Sequence, residues 1–243
     1  AGKMSRLTKN YARLFMPENK IPASDIEQLR GEAWNLYRNN PYARKIVRTL
    51  ETKVIGRGMH PQSQATHSDG TPHVEFRRKA RQLWWSLANC CDVHGKPGRG
   101  GLDLVEMQKL ALRQVILFGE TLARPKILTG KQQQQLGTPI RLAMHLISAG
   151  RLSDEKADSF VSGNDFYRGI ELDADGRRIA YHLTGNRLDE MAFNESEIFR
   201  VPAEDILHLF VQEDIDQLRG TPWFAPAIFQ ARDTGDYQYN VLK

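Results

Sequence analysis

The residues of this 243-residue chain that could do chemistry are scattered more than they are grouped. Asp173, Asp175 and Gly176 suggest a calcium loop, but such a loop needs its glycine at the sixth position and a glutamate at the twelfth. Counted from Asp173, those positions hold Arg178 and Thr184, so the segment reads as a turn. Cys90, Cys91, Asp92 and His94 offer metal-binding atoms, yet the thiols are adjacent and no second pair completes a zinc set. The seven histidines include no two at the i, i+4 spacing that places ligands on one helix face. Residues 95–101 are glycine-rich but lack the Gly-Lys-Ser/Thr ending of a phosphate-binding loop, and no Gly-x-Ser-x-Gly elbow occurs. Acid pairs such as Asp154-Glu155 and Asp189-Glu190 lie in polar stretches, where solvated carboxylates are expected. Nothing in the pattern requires catalysis, and it predicts no catalytic residue, no cofactor and no metal site.

Basic residues cluster twice, at Arg77, Arg78, Lys79 and Arg81 and at Lys96 and Arg99. A solvated helix face explains the first group as well as phosphate contacts do. The alternative function is a stand-alone nucleic-acid-binding or processing domain using these six residues. Against it, the formal charge is only +5, from 34 basic and 29 acidic residues. With 40% apolar and 26% charged residues the composition is that of a soluble globular protein. No apolar run approaches the roughly 18 residues of a membrane span. The basic start, Ala1 to Arg6, has no apolar stretch after it, so no signal peptide is expected, and the adjacent cysteines fit a reducing compartment.

The elements that must position these residues fall into two halves. A basic amphipathic arm closes at Pro17 and Pro22. Ser24 with Glu27 has the capping-box pattern, and Ile26, Leu29, Ala33, Leu36 and Tyr37 predict a helix over about residues 25–38. Asn40 as cap and Pro41 at the first position start a second helix with Ala43, Ile46, Val47 and Leu50 buried. Residues 54–59 read as a short strand interrupted by Gly56 and Gly58, and 62–71 as a loop with a solvated His67. A third helix over 74–88 would bury Phe76, Ala80, Leu83, Trp84 and Leu87. A mobile, basic connector follows. Asp103 and Glu106 then cap a fourth helix, whose core stripe is Leu104, Met107, Ala111, Val115 and Phe118 and which Gly119 ends in the left-handed conformation.

From there the periodicity becomes β-like. Residues 121–128 and 140–147 read as strands around a four-glutamine polar loop, and 169–172 with 179–183 as a hairpin turning at 173–176. Residues 206–211 read as a buried strand, followed by the acidic patch 213–216. Gly220 is expected to adopt a backbone conformation closed to side chains, Pro222 to preset the first turn of a final helix, and Arg219 to pair with a carboxylate, Asp214 and Asp216 lying nearest. The fold class is α+β, a helix-rich half followed by a β-rich half.

Several of these segments resemble, in order, the signatures of the lambda-type phage portal family. They are Leu36-Tyr37-Arg38-Asn39-Asn40-Pro41-Tyr42-Ala43; Val54-Ile55-Gly56-Arg57-Gly58; Trp85 with Cys91-Asp92; and Phe118-Gly119-Glu120. The hairpin Gly169-Ile170-Glu171-Leu172-Asp173 with Gly176-Arg177 and Ala180-Tyr181, and then Gln217, Arg219-Gly220 and Pro222, complete the series. The four-glutamine segment and residues 147–151 depart from the family pattern. The resemblance makes Gln217, Arg219, Gly220, Pro222, Gly56, Gly58, Gly119 and Gly176 the structural signature. It implies an N-terminal arm (1–23) and a portal wing-like region (24–243) leading into a stem-directed helix, with stem, clip and crown parts outside this chain. It further implies a structural protein, not an enzyme: a ring homo-oligomer, typically a dodecamer, at the capsid vertex of a virion, assembled in the host cytoplasm without membrane. Double-stranded DNA would pass through that ring non-specifically during packaging and ejection. The implied partners are the major capsid protein, terminase, scaffold and head-completion or tail proteins.

Overall fold

The computed structural model describes residues 23–138, 140–185 and 197–227; the N-terminal arm and the expected final helix lie outside them. The architecture is α+β. The chain divides into two compact units, one of Ala1–Lys45, Gln114–Leu122 and Ser148–Lys243, the other of Ile46–Arg113 and Ala123–Ile147.

Helix α1 (Ala23–Asn39) is longer than expected and already contains Ser24, whose hydroxyl meets the Asp25 carboxylate and does not cap the helix. Asn40 alone separates it from α2 (Pro41–Leu50). As expected, its side-chain oxygen accepts from the Tyr42 and Ala43 amides at 2.9 and 3.2 Å. The strand expected at 54–59 is absent: Glu51–Ile55 forms a π-helical turn, closed where Gly56, at φ 56°, donates its amide to the Glu51 carbonyl five residues back. Two apolar residues before a glycine are too few to commit a segment to a sheet, and the Glu51 carboxylate is held by Arg113 at 2.6 Å.

Helix α3 (Val74–Ala88) has the predicted bounds, but of its apolar residues only Ala88 is buried. Trp84 and Leu87 are half-buried, whereas Leu83 is exposed and Phe76 is 53% exposed. Helix α4 (Leu104–Phe118) carries a complete capping box: Glu106 N donates to Asp103 Oδ1 at 2.7 Å, and Asp103 N donates to Glu106 Oε2 at 3.0 Å. Met107, Val115, Ile116 and Leu117 are buried, but Leu104 is only half-buried. Gly119, at φ 86°, ends the helix in the expected left-handed conformation.

Strand β1 (Glu120–Ile127) lies centrally in a three-stranded sheet of order β2-β1-β7, with β2 spanning Leu142–Ser148 and β7 Leu207–Phe210. Between β1 and β2 the glutamine run is a short helix, α5 (Gly130–Leu136), and not a loop. Thr129 and Gln132 form its capping box and Gly137 its left-handed C-cap, so a Thr-x-x-Gln start and a glycine stop suffice for two turns. Strand β7 is half-exposed along its length, unlike the buried strand expected, because only Ile206 before it is buried while Leu207 and Leu209 face solvent.

The second sheet has the order β3-β4-β5-β6, with β3 at Asp165–Tyr167, β4 at Ile170–Leu172, β5 at Arg178–Thr184 and β6 at Ile198–Pro202. Its pairs are antiparallel. Arg168 and Gly169, both at positive φ (47° and 86°), form the two-residue turn between β3 and β4. The register places Ile170 opposite Tyr181 and Tyr181 opposite Val201 on one face. The other face carries Glu171 opposite Ala180 and His182 opposite Arg200. Residues 180–183 are all buried, so both faces of β5 are covered.

Leu117 is fully buried and Leu104 is not, so the two residues of α4 separate core from margin. Leu117→Ala is expected to cost about 2–5 kcal/mol, and Leu104→Ala clearly less, in denaturant unfolding of the two variants.

Candidate functional site

In the first unit, residues distant in sequence converge on one carboxylate. Glu120 follows the glycine that ends α4 and is completely buried. Its Oε1 accepts from Arg30 Nη2 at 2.5 Å and from Arg219 Nε at 2.6 Å. Its Oε2 accepts from His208 Nε2 at 2.9 Å and from the Gly220 amide at 2.9 Å. Four donors fill the acceptor capacity of a carboxylate, leaving no lone pair to bind a substrate or metal. Arg30 also donates through Nε to the Phe118 carbonyl at 2.9 Å, placing a cation at the C-terminal end of α4. Arg219 donates through Nη1 to the Arg168 carbonyl in the β3–β4 turn.

Electrostatics follow from this geometry. Burial pushes the Glu120 carboxyl up, but Arg219 and His208 outweigh it and hold the group far below the ordinary carboxylate range. Burial lowers the His208 pKa, so the ring is neutral near pH 7. Its Nε2–H then donates to Glu120 and its Nδ1 accepts from the Tyr181 hydroxyl at 3.4 Å. Two guanidiniums around one carboxylate leave one excess positive charge in the cluster.

A second buried carboxylate, Glu171, lies on the opposite face of β5 from Tyr181. Arg200 embraces it with Nε at 2.6 Å and Nη2 at 3.1 Å, Asn164 Nδ2 donates at 2.5 Å, and His182 Nε2 donates at 3.1 Å. The His182 tautomer is set because its Nδ1 accepts from the Ala157 amide at 2.9 Å. Burial raises the Glu171 carboxyl, and the hydrogen bonds from Arg200, Asn164 and His182 reverse that to about 2. Burial likewise lowers His182. Adjacent residues of one strand, Tyr181 and His182, thus reach two different carboxylate clusters.

The signature residues are distributed between tight turns and this site. Gln217, Arg219, Gly220 and Pro222 are all buried. Gln217 Oε1 accepts from the Glu213 and Asp214 amides at 2.6 and 3.3 Å, while its Nε2 donates to the Arg219 carbonyl at 2.9 Å. Arg219 pairs with Glu120 and not with the neighbouring Asp214 or Asp216; a partner 99 residues away is invisible to local spacing. Gly220 is not among the described glycines at positive φ. Its constraint is contact: a Cβ there would lie 2.1 Å from the Gly119 carbonyl oxygen and 2.8 Å from Phe210 Cβ. Pro222 precedes a 3-10 turn (Ala225–Ala227) and starts no helix within the described residues, while the Trp223 amide donates to the Ile116 carbonyl at 3.0 Å.

Gly56 closes the π-turn. Gly58, at φ 97°, packs against Val105, and Gly176, at φ 77°, turns the β4–β5 hairpin in open space. Sequence reading missed Arg30 and His208 as cluster members. Glu120 and Glu171 were visible only inside the Phe118-Gly119-Glu120 and Gly169-Ile170-Glu171-Leu172-Asp173 motifs.

The basic candidates lie on two elements, helix α3 and the turn at residues 96–101. Arg77 donates through Nε to the Ala65 carbonyl at 2.8 Å, and Arg78, Lys79 and Arg81 are exposed. Lys96 and Arg99 sit on a turn that is internally bonded, with the Arg99 and Gly101 amides donating to the Lys96 carbonyl. Asp92 anchors that turn, accepting from His94 N and Leu102 N at 3.0 Å each. Among the described residues no group of three or more His, Cys, Asp or Glu is placed to hold a metal ion. No helix of the described residues is long and apolar enough to cross a membrane.

Residues 5–243 match the family model described as phage portal protein, lambda family. No curated protein matches the chain. Among solved structures it is similar to a chain of the "Neck of empty GTA particle computed with C6 symmetry", at 13% identity and a TM-score of 0.48. The match covers 87% of this chain and 46% of that one, so the chain spans less than half of its length.

Glu120→Gln would leave Arg30 and Arg219 buried without their counter-charge, a loss expected to cost about 3–5 kcal/mol. The pH dependence has a definite sign. His208 and His182 have lowered folded pKa values, so the unfolded chain takes up their protons first and stability declines as pH falls below about 6.5. Glu120 and Glu171 are depressed, so their contribution is full above about 4.3 and is lost as pH falls toward the folded values. Urea unfolding from pH 8 to 3 should show both stages in the wild type and a shallower acid stage in Glu120→Gln.

Proposed function

The chain belongs to the lambda family of phage portal proteins, and on that premise we propose that it is the wing-like part of a portal vertex subunit. In this reading, copies assemble into a ring, a dodecamer in the family's usual form, at one vertex of a tailed phage head. The ring is the channel for DNA packaging and ejection and the docking platform for terminase, capsid, scaffold and head-completion or tail proteins. Assembly takes place in the host cytoplasm and the product resides in the virion. The observation that carries the proposal is the family match over residues 5–243.

The site chemistry supports a structural role. Both buried carboxylates are saturated by donors from their own chain, the arrangement of a clasp. The clasp and the Trp223–Ile116 hydrogen bond fix the chain just before the point where the stem-directed segment is proposed to begin. Residues 1–23 would be the docking arm and 24–243 the wing-like region. A conduit must hold DNA without gripping it, and each neutralised phosphate adds salt-dependent affinity. A formal charge of only +5 suits that requirement.

Negative-stain microscopy of the purified chain tests the proposal, with rings as the expected outcome. Monomers that bind short DNA with a steep salt dependence would favour the nucleic-acid-binding alternative instead. Two variants sharpen the test. Replacing Arg77, Arg78, Lys79 and Arg81 with Ser should leave DNA binding by assembled rings, and its salt slope, nearly unchanged. Gly220→Val forces a side chain into the Gly119 backbone, so the clasp opens and subunits should accumulate as monomers or open arcs. Normal rings from Gly220→Val would show that this joint does not set the assembly angle.

A further inference from the structure

Two features of the surface are complementary, and neither is used by the clasp. The first is the loop after β7. Gln212 Nε2 donates to the Asp214 and Ile215 carbonyls at 3.0 and 2.8 Å, and Gln217 Oε1 takes the Glu213 and Asp214 amides. Held from both ends, the loop presents Ile215 at its tip, 89% exposed, between Asp214 and Asp216 and beside Glu213. A single exposed aliphatic side chain is ordinary by itself; this one is set apart by the hydrogen-bonded loop that holds it among acidic residues.

The second feature is a cavity of about 400 Å³ in the other unit. Lys96, Arg99 and Lys126 contribute its cations, and Val93, Leu128 and Leu136 its apolar wall. Leu128 and Leu136 belong to a buried cluster with Cys90 and Ala143, so that wall is firm. No acidic side chain is among the described lining residues. The lining therefore suits an occupant that brings one aliphatic group flanked by carboxylates.

We propose that the acidic loop 213–216 of one copy seats in this basic cavity of a neighbouring copy, with Ile215 against the apolar wall and the Glu213 and Asp214 carboxylates on Lys96 and Arg99. Two different patches meeting make a head-to-tail contact, the kind that closes a ring when repeated. The inference rests on the ring reading and adds to it the residues of one subunit contact. It also gives Gln217 a role: the signature glutamine holds the projecting loop in shape.

The test uses the full chain in sedimentation velocity, with two charge-reversal variants, Lys96→Glu/Arg99→Glu and Glu213→Lys/Asp214→Lys. Each alone places like charges across the contact and should associate at least about tenfold more weakly than wild type. An equimolar mixture restores opposite charges at every contact between the two variants, and should recover association to within about twofold of wild type. If wild type forms rings and both variants do so equally well, the contact is wrong and the portal reading stands. Weakened variants that fail to rescue each other also overturn it, because the two patches then act at different contacts. If Lys96→Glu/Arg99→Glu loses short-DNA binding while assembling normally, the cavity serves phosphates and not the loop. A wild-type chain that stays monomeric at every concentration overturns the self-assembly reading, and this contact with it.

Discussion

The structure of the first unit depends on one buried negative charge. Glu120 accepts hydrogen bonds from α1 through Arg30, from β7 through His208, and from the segment after it through Arg219 and Gly220. Its worth lies in completeness. A buried carboxylate lacking any of these donors would carry a desolvation penalty that the remaining partners do not offset, so the segments are held together or not at all. The result is mutual specification: α1, the end of α4, β7 and the Gln217–Pro222 segment have one arrangement that supplies all four donors to the carboxylate.

Steric fit enforces the same arrangement. Gly119 and Gly220 touch backbone to backbone, each position closed to any side chain by the other. Hydrogen bonding brings the Gly220 amide to Glu120, and the absence of a Cβ lets it arrive. The β5 strand extends this logic outward. Tyr181 supports His208 on one face, and His182 supports Glu171 on the other, so one buried strand braces two carboxylates through two neutral imidazoles. In each case the ring's second nitrogen accepts a hydrogen bond, which directs the N–H to the carboxylate.

Local signals were legible in the sequence where the deciding atoms are close in the chain. Asn40 with Pro41, Asp103 with Glu106, and Gly119 each act within four residues, and all three behave as their patterns predict. The Thr129-x-x-Gln132 start was equally local but hidden by the polar composition of the run it opens. The π-turn at Glu51–Ile55 was not legible, because its closing bond and the Arg113 contact decide it, and neither leaves a periodic trace. Helix α3 shows the reverse error: a helical apolar stripe was read as core, but periodicity reports only that a face is apolar, not what covers it. Partner identity was the largest gap. The sequence predicts a carboxylate partner for Arg219 but not which one, because its counter-charge lies 99 residues earlier. Family resemblance placed the Gly119-Glu120 and Arg219-Gly220 motifs in order without revealing that they touch.

The interleaving of the two units has a consequence for how the chain is made. The unit of residues 46–113 and 123–147 is finished early in synthesis, before any of the strands β3 to β7 has been translated. The other unit begins first and ends last. Arg30 and Glu120 leave the ribosome well ahead of His208, Arg219 and Gly220, so Glu120 spends the intervening translation without three of its four donors. Over that interval it is far better hydrated than buried, and the end of α4 cannot take its final environment. The clasp closes only when the chain has passed residue 220, which makes it a checkpoint read near the end of the described chain. A polypeptide truncated before that point would carry a finished second unit and an unfinished first one, and the signature segment itself would be the missing piece.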